Sequence, residues 1–163
     1  MNDWQNFTQA EDGISFIQLE QVIAGVLQEL AFMFADPADE DDTVAPDEEC
    51  IKAKISFKGP VSGDLGLVFP RSLCFELIAN ILGLEQEDIS EPSDAEDALK
   101  ELLNVVCGQF LTTTFGSGLL FDLSIPAVEM IDRKAWERQQ AEPDTTVILV
   151  EDEPVLFDLS MSD

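Results

Sequence analysis

Apolar residues recur at helical spacing early in the chain. Leu19, Val22, Ile23, Val26 and Leu30 fall on one stripe and predict a long helix over residues 14–35, stopped by Asp36-Pro37. The period then changes. Ile51, Ala53, Ile55 and Phe57 alternate with Lys52, Lys54, Ser56 and Lys58, the period-two pattern of a strand buried on one side. Turn residues Gly59-Pro60-Val61-Ser62-Gly63 and the following DLGLVF complete a hairpin that Pro70 ends. Residues 71–82 read as a short helix closed by Gly83. Ser93 with Glu96 makes a capping box and opens a second long helix over residues 94–115, stopped by Gly116-Ser117-Gly118. Strand-like stretches follow at 119–131, interrupted by Pro126, and at 145–150 and 155–161, a hairpin around Glu151-Asp152-Glu153-Pro154. Between them DRKAWERQQAEPD reads as a loop or short helical turn.

Strand hairpins beside long helices indicate an α+β fold, with long helices packed on an antiparallel β-sheet rather than a doubly wound one. A length of 163 residues fits a single domain over 1–163, with a polar N-terminus over about 1–13 and an acidic loop over about 36–49. A chain of this size can bury roughly 70% of its unfolded surface.

Charge narrows the function. The 34 acidic residues outnumber the 8 basic ones, for a net charge of -26. Nucleic-acid phosphates and anionic lipid surfaces would be repelled, so neither is an expected partner. There is no His, which removes the common neutral-pH base and the commonest transition-metal ligand. Cys50, Cys74 and Cys107 are odd in number, with no Cys-x-x-Cys pair, and two of them lie in apolar helical patterns. A reducing cytoplasmic setting fits, no apolar run approaches a membrane span, and the opening MNDWQNFTQAEDG carries no secretory pattern. The acidic loop lacks the alternating ligands and central Gly of an EF-hand. It is expected to be mobile, metal-free and dispensable for folding, with no apolar anchor beyond Val44.

Within KELLNVVCGQF, Glu101, Asn104 and Gly108 fall within about 60° of one another on a helix, and Asp97 joins them. Leu99, Leu103, Val106 and Phe110 occupy the opposite side and supply the buried face. Val105 and Leu111 flank the polar line. Gly108 costs about 1 kcal/mol relative to Ala inside a helix, which asks for a reason such as close approach of another backbone. By spacing alone the line is either a working surface or two ordinary surface polar residues.

DALKELLNVVCGQ resembles the signature of the CheC/CheX/FliY family of bacterial chemotaxis phosphatases, Glu-x-x-Asn on a long helix followed by a small residue one turn on. GDLGLVFPRSLCFELIANILG is similar to the strand and helix preceding that motif in CheX-like domains, and the closing strands through FDLSM fall in the same order. CheC-type members carry two motifs. Here the first helix offers Glu20-Gln21-Val22-Ile23 and Glu29-Leu30-Ala31-Phe32, neither ending in Asn, so the chain resembles the single-motif CheX type.

The resemblance implies a phosphatase acting on the phospho-aspartate of a CheY-like receiver domain. Glu101 would pair with the receiver's active-site lysine, Asn104 would orient the attacking water, and Asp97 and Gly108 would face the partner. The chain would bind no cofactor or metal of its own, since Mg²⁺ belongs to the receiver. It would form a homodimer through strands of its C-terminal half. Two other readings stand beside this one: a non-catalytic receiver-binding adaptor of the same fold, and an acidic assembly protein related to flagellar switch components.

Overall fold

The computed structural model of the protein describes residues 12–39, 44–83, 85 and 92–162. Helix α1 (Asp12–Ala31) buries Leu19, Val22, Ile23 and Val26 along the expected stripe. It ends at Ala31, earlier than Asp36-Pro37 suggested. Phe32 turns into the left-handed region at φ 56°, and the amides of Phe32 and Met33 donate to the carbonyls of Gln28 (3.2 Å) and Leu27 (3.1 Å). That turn carries Met33 into the core, where it is fully buried. Asp36 and Pro37 lie instead in a short strand, β1 (Ala35–Pro37).

Strands β2 (Cys50–Lys58) and β3 (Ser62–Pro70) form the expected hairpin, with Ala53 opposite Leu67 and Ile55 opposite Leu65. Helix α2 (Arg71–Leu82) ends at Gly83, in the left-handed conformation its position requires. Helix α3 (Pro92–Phe115) begins slightly before the expected start, so Ser93 sits in its first turn rather than at the cap. Then come β4 (Asp122–Leu123), β5 (Ala127–Ile131), helix α4 (Arg133–Gln140), β6 (Thr145–Val150) and β7 (Glu153–Ser162).

The order across the sheet is β1-β6-β7-β3-β2-β4, with β5 also paired to β2. Every pairing is antiparallel. Ile51, Ala53, Ile55 and Phe57 of β2 join one core with the buried residues of α1, α2 and α3, as the alternation indicated. α4 covers part of the opposite face. Its segment was expected as a loop or short helical turn and is a helix of eight residues, capped by the Asp132 carboxylate, which accepts from the Ala135 N–H (2.9 Å). Trp136 then buries against Cys50, Val68, Ile131 and Leu156.

Residues 1–11, 40–43, 84 and 86–91 lie outside the described residues. They include most of the polar N-terminus, the middle of the acidic loop and most of LEQEDISEP, residues 84–92, whose composition reads as an exposed loop. The described end of the acidic loop is anchored, contrary to the expectation of a segment with nothing to hold it. Ala45 and Pro46 are buried while Val44, the expected anchor, is exposed. Glu48 accepts from both the Ser72 N–H (2.7 Å) and the Ser72 hydroxyl (2.8 Å), satisfying free donors at the N-terminus of α2.

On the sheet face away from α1, α2 and α3, Asp158 is the one buried charged residue among the described residues. It fits because its neighbour in register, Gly66, has no side chain: a Cβ there would collide with the Asp158 carboxylate. Burial pushes the Asp158 carboxyl up to about 6, Asp144 and Asp64 push the same way, and Lys54 and Lys52 oppose them. A carboxyl raised on folding leaves stability intact below its unfolded value, near pH 4, and removes it as pH climbs through the folded value. The loss above about pH 7 is on the order of 2–3 kcal/mol. Asp158→Asn is therefore expected to raise the melting temperature at pH 8 and leave it nearly unchanged at pH 4, measured by thermal melts of both proteins across that range.

Candidate functional site

The 24 residues of α3 divide sharply by environment. Ala95, Ala98, Leu99, Leu102, Leu103, Val106, Cys107, Phe110 and Leu111 are buried, a wider stripe than the four residues expected. Leu111, expected at the border of the polar line, belongs to this core because α1 and α2 both pack against α3 and widen the covered arc. The Thr114 hydroxyl donates to Gln18 Oε1 (3.1 Å) and ties the end of α3 to α1.

What remains outward is the polar line. Asp97, Glu101 and Asn104 are exposed, and Gly108 and Val105 are half-buried beside them. Residues three apart on a helix stand about 5–6 Å apart at Cβ, so the Glu101 carboxylate and the Asn104 amide can reach one partner group together. Among the described residues no hydrogen bond or ion pair engages either side chain. A Cβ built at Gly108 would meet nothing within 4 Å. Among the described residues no backbone outside the helix approaches the glycine, so packing between them does not account for it.

The chemistry available here is limited and defined. The line offers one carboxylate, which can pair with a cation, and one neutral amide, which can both accept and donate. It offers no nucleophile. The Cys107 thiol is turned into the core and pushed up to about 12 by burial, and Cys50 likewise reaches about 12 by burial, then Glu48 and Glu153. Cys74 is raised further by burial, with smaller contributions from Cys50 and Glu48 against an opposing Arg71. No cluster of three or more metal-ligating side chains occurs among the described residues.

One feature escaped the sequence reading. Gln18, Gln21 and Gly25 on α1 repeat the spacing of Glu101, Asn104 and Gly108 without the charge. Gln21 and Gly25 are exposed, but Gln18 is already held by Thr114. The unexplained glycine inside a helix was the available signal.

A family model described as chemotaxis phosphatase CheX matches residues 51–148, which include α3 and its polar line. The chain belongs to the CheX family. Solved structures carry the same fold at low sequence identity. The chemotaxis protein CheX from Desulfovibrio desulfuricans matches with a TM-score of 0.67 at 16% identity, over 91% of this chain and 99% of that one. A CheC-like superfamily protein from Shewanella sp. PV-4 matches at 0.67 with 20% identity, over 95% and 100%. CheX from Borrelia burgdorferi, solved as a CheX-CheY-BeF3-Mg²⁺ complex, matches at 0.63 with 14% identity, over 91% and 98%. Comparison with curated proteins finds no match.

The open space at Gly108 has a direct consequence for this CheX-family chain. Gly108→Ala introduces no clash and removes the helix-interior glycine penalty, so it is expected to stabilise the fold by about 0.5–1 kcal/mol. Chemical denaturation of the two proteins checks this; a loss of stability would show a packing role.

Proposed function

We propose that this CheX-family protein is a phosphatase for the phospho-aspartate of a CheY-like receiver domain, acting through Glu101 and Asn104. The observation that carries the reading is the free carboxylate-amide pair on the solvent face of α3, with open space at Gly108 one turn on. The complex of Borrelia burgdorferi CheX with CheY supports the choice of partner.

An acyl phosphate is already activated, and a receiver carries its own Mg²⁺ and carboxylates. A water held in line with the phosphorus is then most of what is missing. The Asn104 carbonyl accepts a hydrogen bond from that water, and its NH₂ donates toward a phosphoryl oxygen. A carboxylate at this position would repel the phosphoryl group; a neutral amide does not. Glu101 accepts from the receiver's lysine and so fixes where Asn104 enters. Asp97 and Gly108 border the approach. The setting proposed is cytoplasmic, where receivers are found; no helix among the described residues is long and apolar enough to cross a membrane.

Asn104→Ala is expected to fold normally, to bind the phosphorylated receiver, and to lose about 10²-fold in rate, because the amide acts in the transition state. Glu101→Ala is expected to weaken binding as well as turnover. Decay of phosphorylated receiver, together with receiver affinity, measured for both variants decides it. Parent-like decay with Asn104→Ala would transfer the function to non-catalytic docking.

We also propose a homodimer, but not at the late hairpin. β7 lies between β3 and β6, and β6 is itself paired with β1. Among the described residues the sheet therefore ends in three-residue β1 on one side and in β4 and β5 beside β2 on the other, and five-residue β5 is the longest of these edges. Ile125 and Leu120, 90% and 88% exposed, lie on the segments leading to that edge. Ile125→Lys is expected to shift the sedimenting species from twice the 18.0 kDa chain mass to the chain mass itself. A parent protein that sediments as a monomer at micromolar concentration contradicts the proposal.

A further inference from the structure

Three non-glycine residues among those described hold a left-handed backbone: Phe32 at φ 56°, Glu151 at 50° and Asp152 at 65°. Such conformations are disfavoured for side chains of this kind, most of all for a bulky aromatic. Far apart in sequence, the two sites are strapped together. The Phe34 N–H donates to Glu151 Oε1 (3.0 Å), and the Glu151 N–H donates to the Phe34 carbonyl (3.0 Å). The end of α1 and the β6–β7 turn therefore form one fixed unit.

That unit presents aromatic surface to solvent. Phe32 is 74% exposed and Phe34 61% exposed. With Gly25, Gln28 and Glu29 they line an open groove of about 400 Å³. Gly25 adds to the room, since a Cβ there would meet nothing within 4 Å. The border of the groove is acidic. Glu29 lines it, Asp36 follows in β1, and Glu151, Asp152 and Glu153 make the strapped turn. Glu76 of α2 belongs to the same field: partial burial raises its carboxyl first, then Glu151 and Glu153.

We infer that this aromatic groove is a docking surface for a cationic peptide segment, one carrying an apolar side chain flanked by Lys or Arg. An apolar centre inside a charged rim is the anatomy of a protein-binding patch. Exposed Phe faces accept a guanidinium or ammonium by cation–π attraction, and the surrounding carboxylates supply the matching charge. The charge also excludes the obvious competitor. A second copy of this chain seated here by the same groove would bring the same acidic rim, Glu29, Asp36 and Glu151 to Glu153, against its own image. The surface is separate from the Glu101-Asn104 line in residues and in chemistry.

The probe is a synthetic peptide of Arg-Leu-Lys repeated four times, with blocked ends, and a control in which every Lys and Arg is Gln. Each is titrated calorimetrically at about 150 mM salt, where exposed long-range attraction is largely screened. The basic peptide is expected to bind, and the neutral one not. Phe32→Ser with Phe34→Ser keeps the charge of -26 and is expected to weaken binding at least tenfold. Equal affinity for parent and double variant would reduce the binding to general attraction by an acidic chain and overturn the proposal. So would a change in the assembly state of the double variant, which would mean that a second copy covers the patch. Phe32→Gly supplies an independent check, because glycine adopts the left-handed conformation freely. It is expected to raise the melting temperature by about 2–4 °C while weakening peptide binding. A lower melting temperature would show that the ring packs the fold, and would also overturn the proposal. None of these readouts involves Asn104, so failure here leaves the phosphatase reading untouched.

Discussion

The rotation of α3 about its own axis is the constraint on which the site depends. Leu99, Leu102, Leu103, Val106 and Phe110 are fully buried, and each such side chain is worth about 1.5–3 kcal/mol when removed from water. Turning the helix by half would expose them and bury a carboxylate and an amide without partners, at several kcal/mol more. At about 100° per residue, seating those apolar residues leaves Asp97, Glu101 and Asn104 facing solvent. The site is thus built by the core beneath it. Packing of α1 and α2 on either side of α3 removes the remaining freedom.

Charge is distributed unevenly around this scaffold. Lys52, Lys54 and Lys58 of β2 alternate with its core-facing residues, and Arg133, Lys134 and Arg138 lie on α4 over the same far side of the sheet. Six of the eight basic residues are therefore on those two elements, which leaves the layer of α1, α2 and α3 strongly acidic. A partner for that layer must bring positive charge to meet it, and its binding must weaken as salt rises. The same side of the molecule lacks a reactive thiol, since all three cysteines are buried. A carboxylate for pairing and an amide for hydrogen bonding suffice only for a substrate that is already activated.

Much of this was legible in the residues because it rests on local period. The alternation in β2 and the apolar stripe of α3 set their own orientation, and the outward position of Glu101 and Asn104 follows from the stripe. The end of α1 was not legible, because it is decided by the burial of Met33 and by pairing of residues 35–37 with β6. α4 was legible only as a loop or short helical turn, because its eight residues hold a single buried anchor, Trp136, and no repeating stripe. The anchoring of Glu48 depends on a helix terminus 24 residues away. The exposure of Phe32 and Phe34 was not legible either, because it goes with a strap to Glu151, 117 residues distant from Phe34. The role proposed for Asn104 was not written in its spacing either; the proposal rests on family membership and the free surface around it.

The outward line of α3 is the proposed docking place of a receiver in its phosphorylated form. The most direct measurement is amide chemical-shift perturbation of the ¹⁵N-labelled protein on addition of a CheY-like receiver held in its activated form by BeF₃⁻ and Mg²⁺. The largest changes are expected at residues 97–108, with smaller ones in the flanking helices and far weaker changes with the unmodified receiver. Perturbation confined to other elements, with residues 97–108 unmoved at saturation, would contradict it.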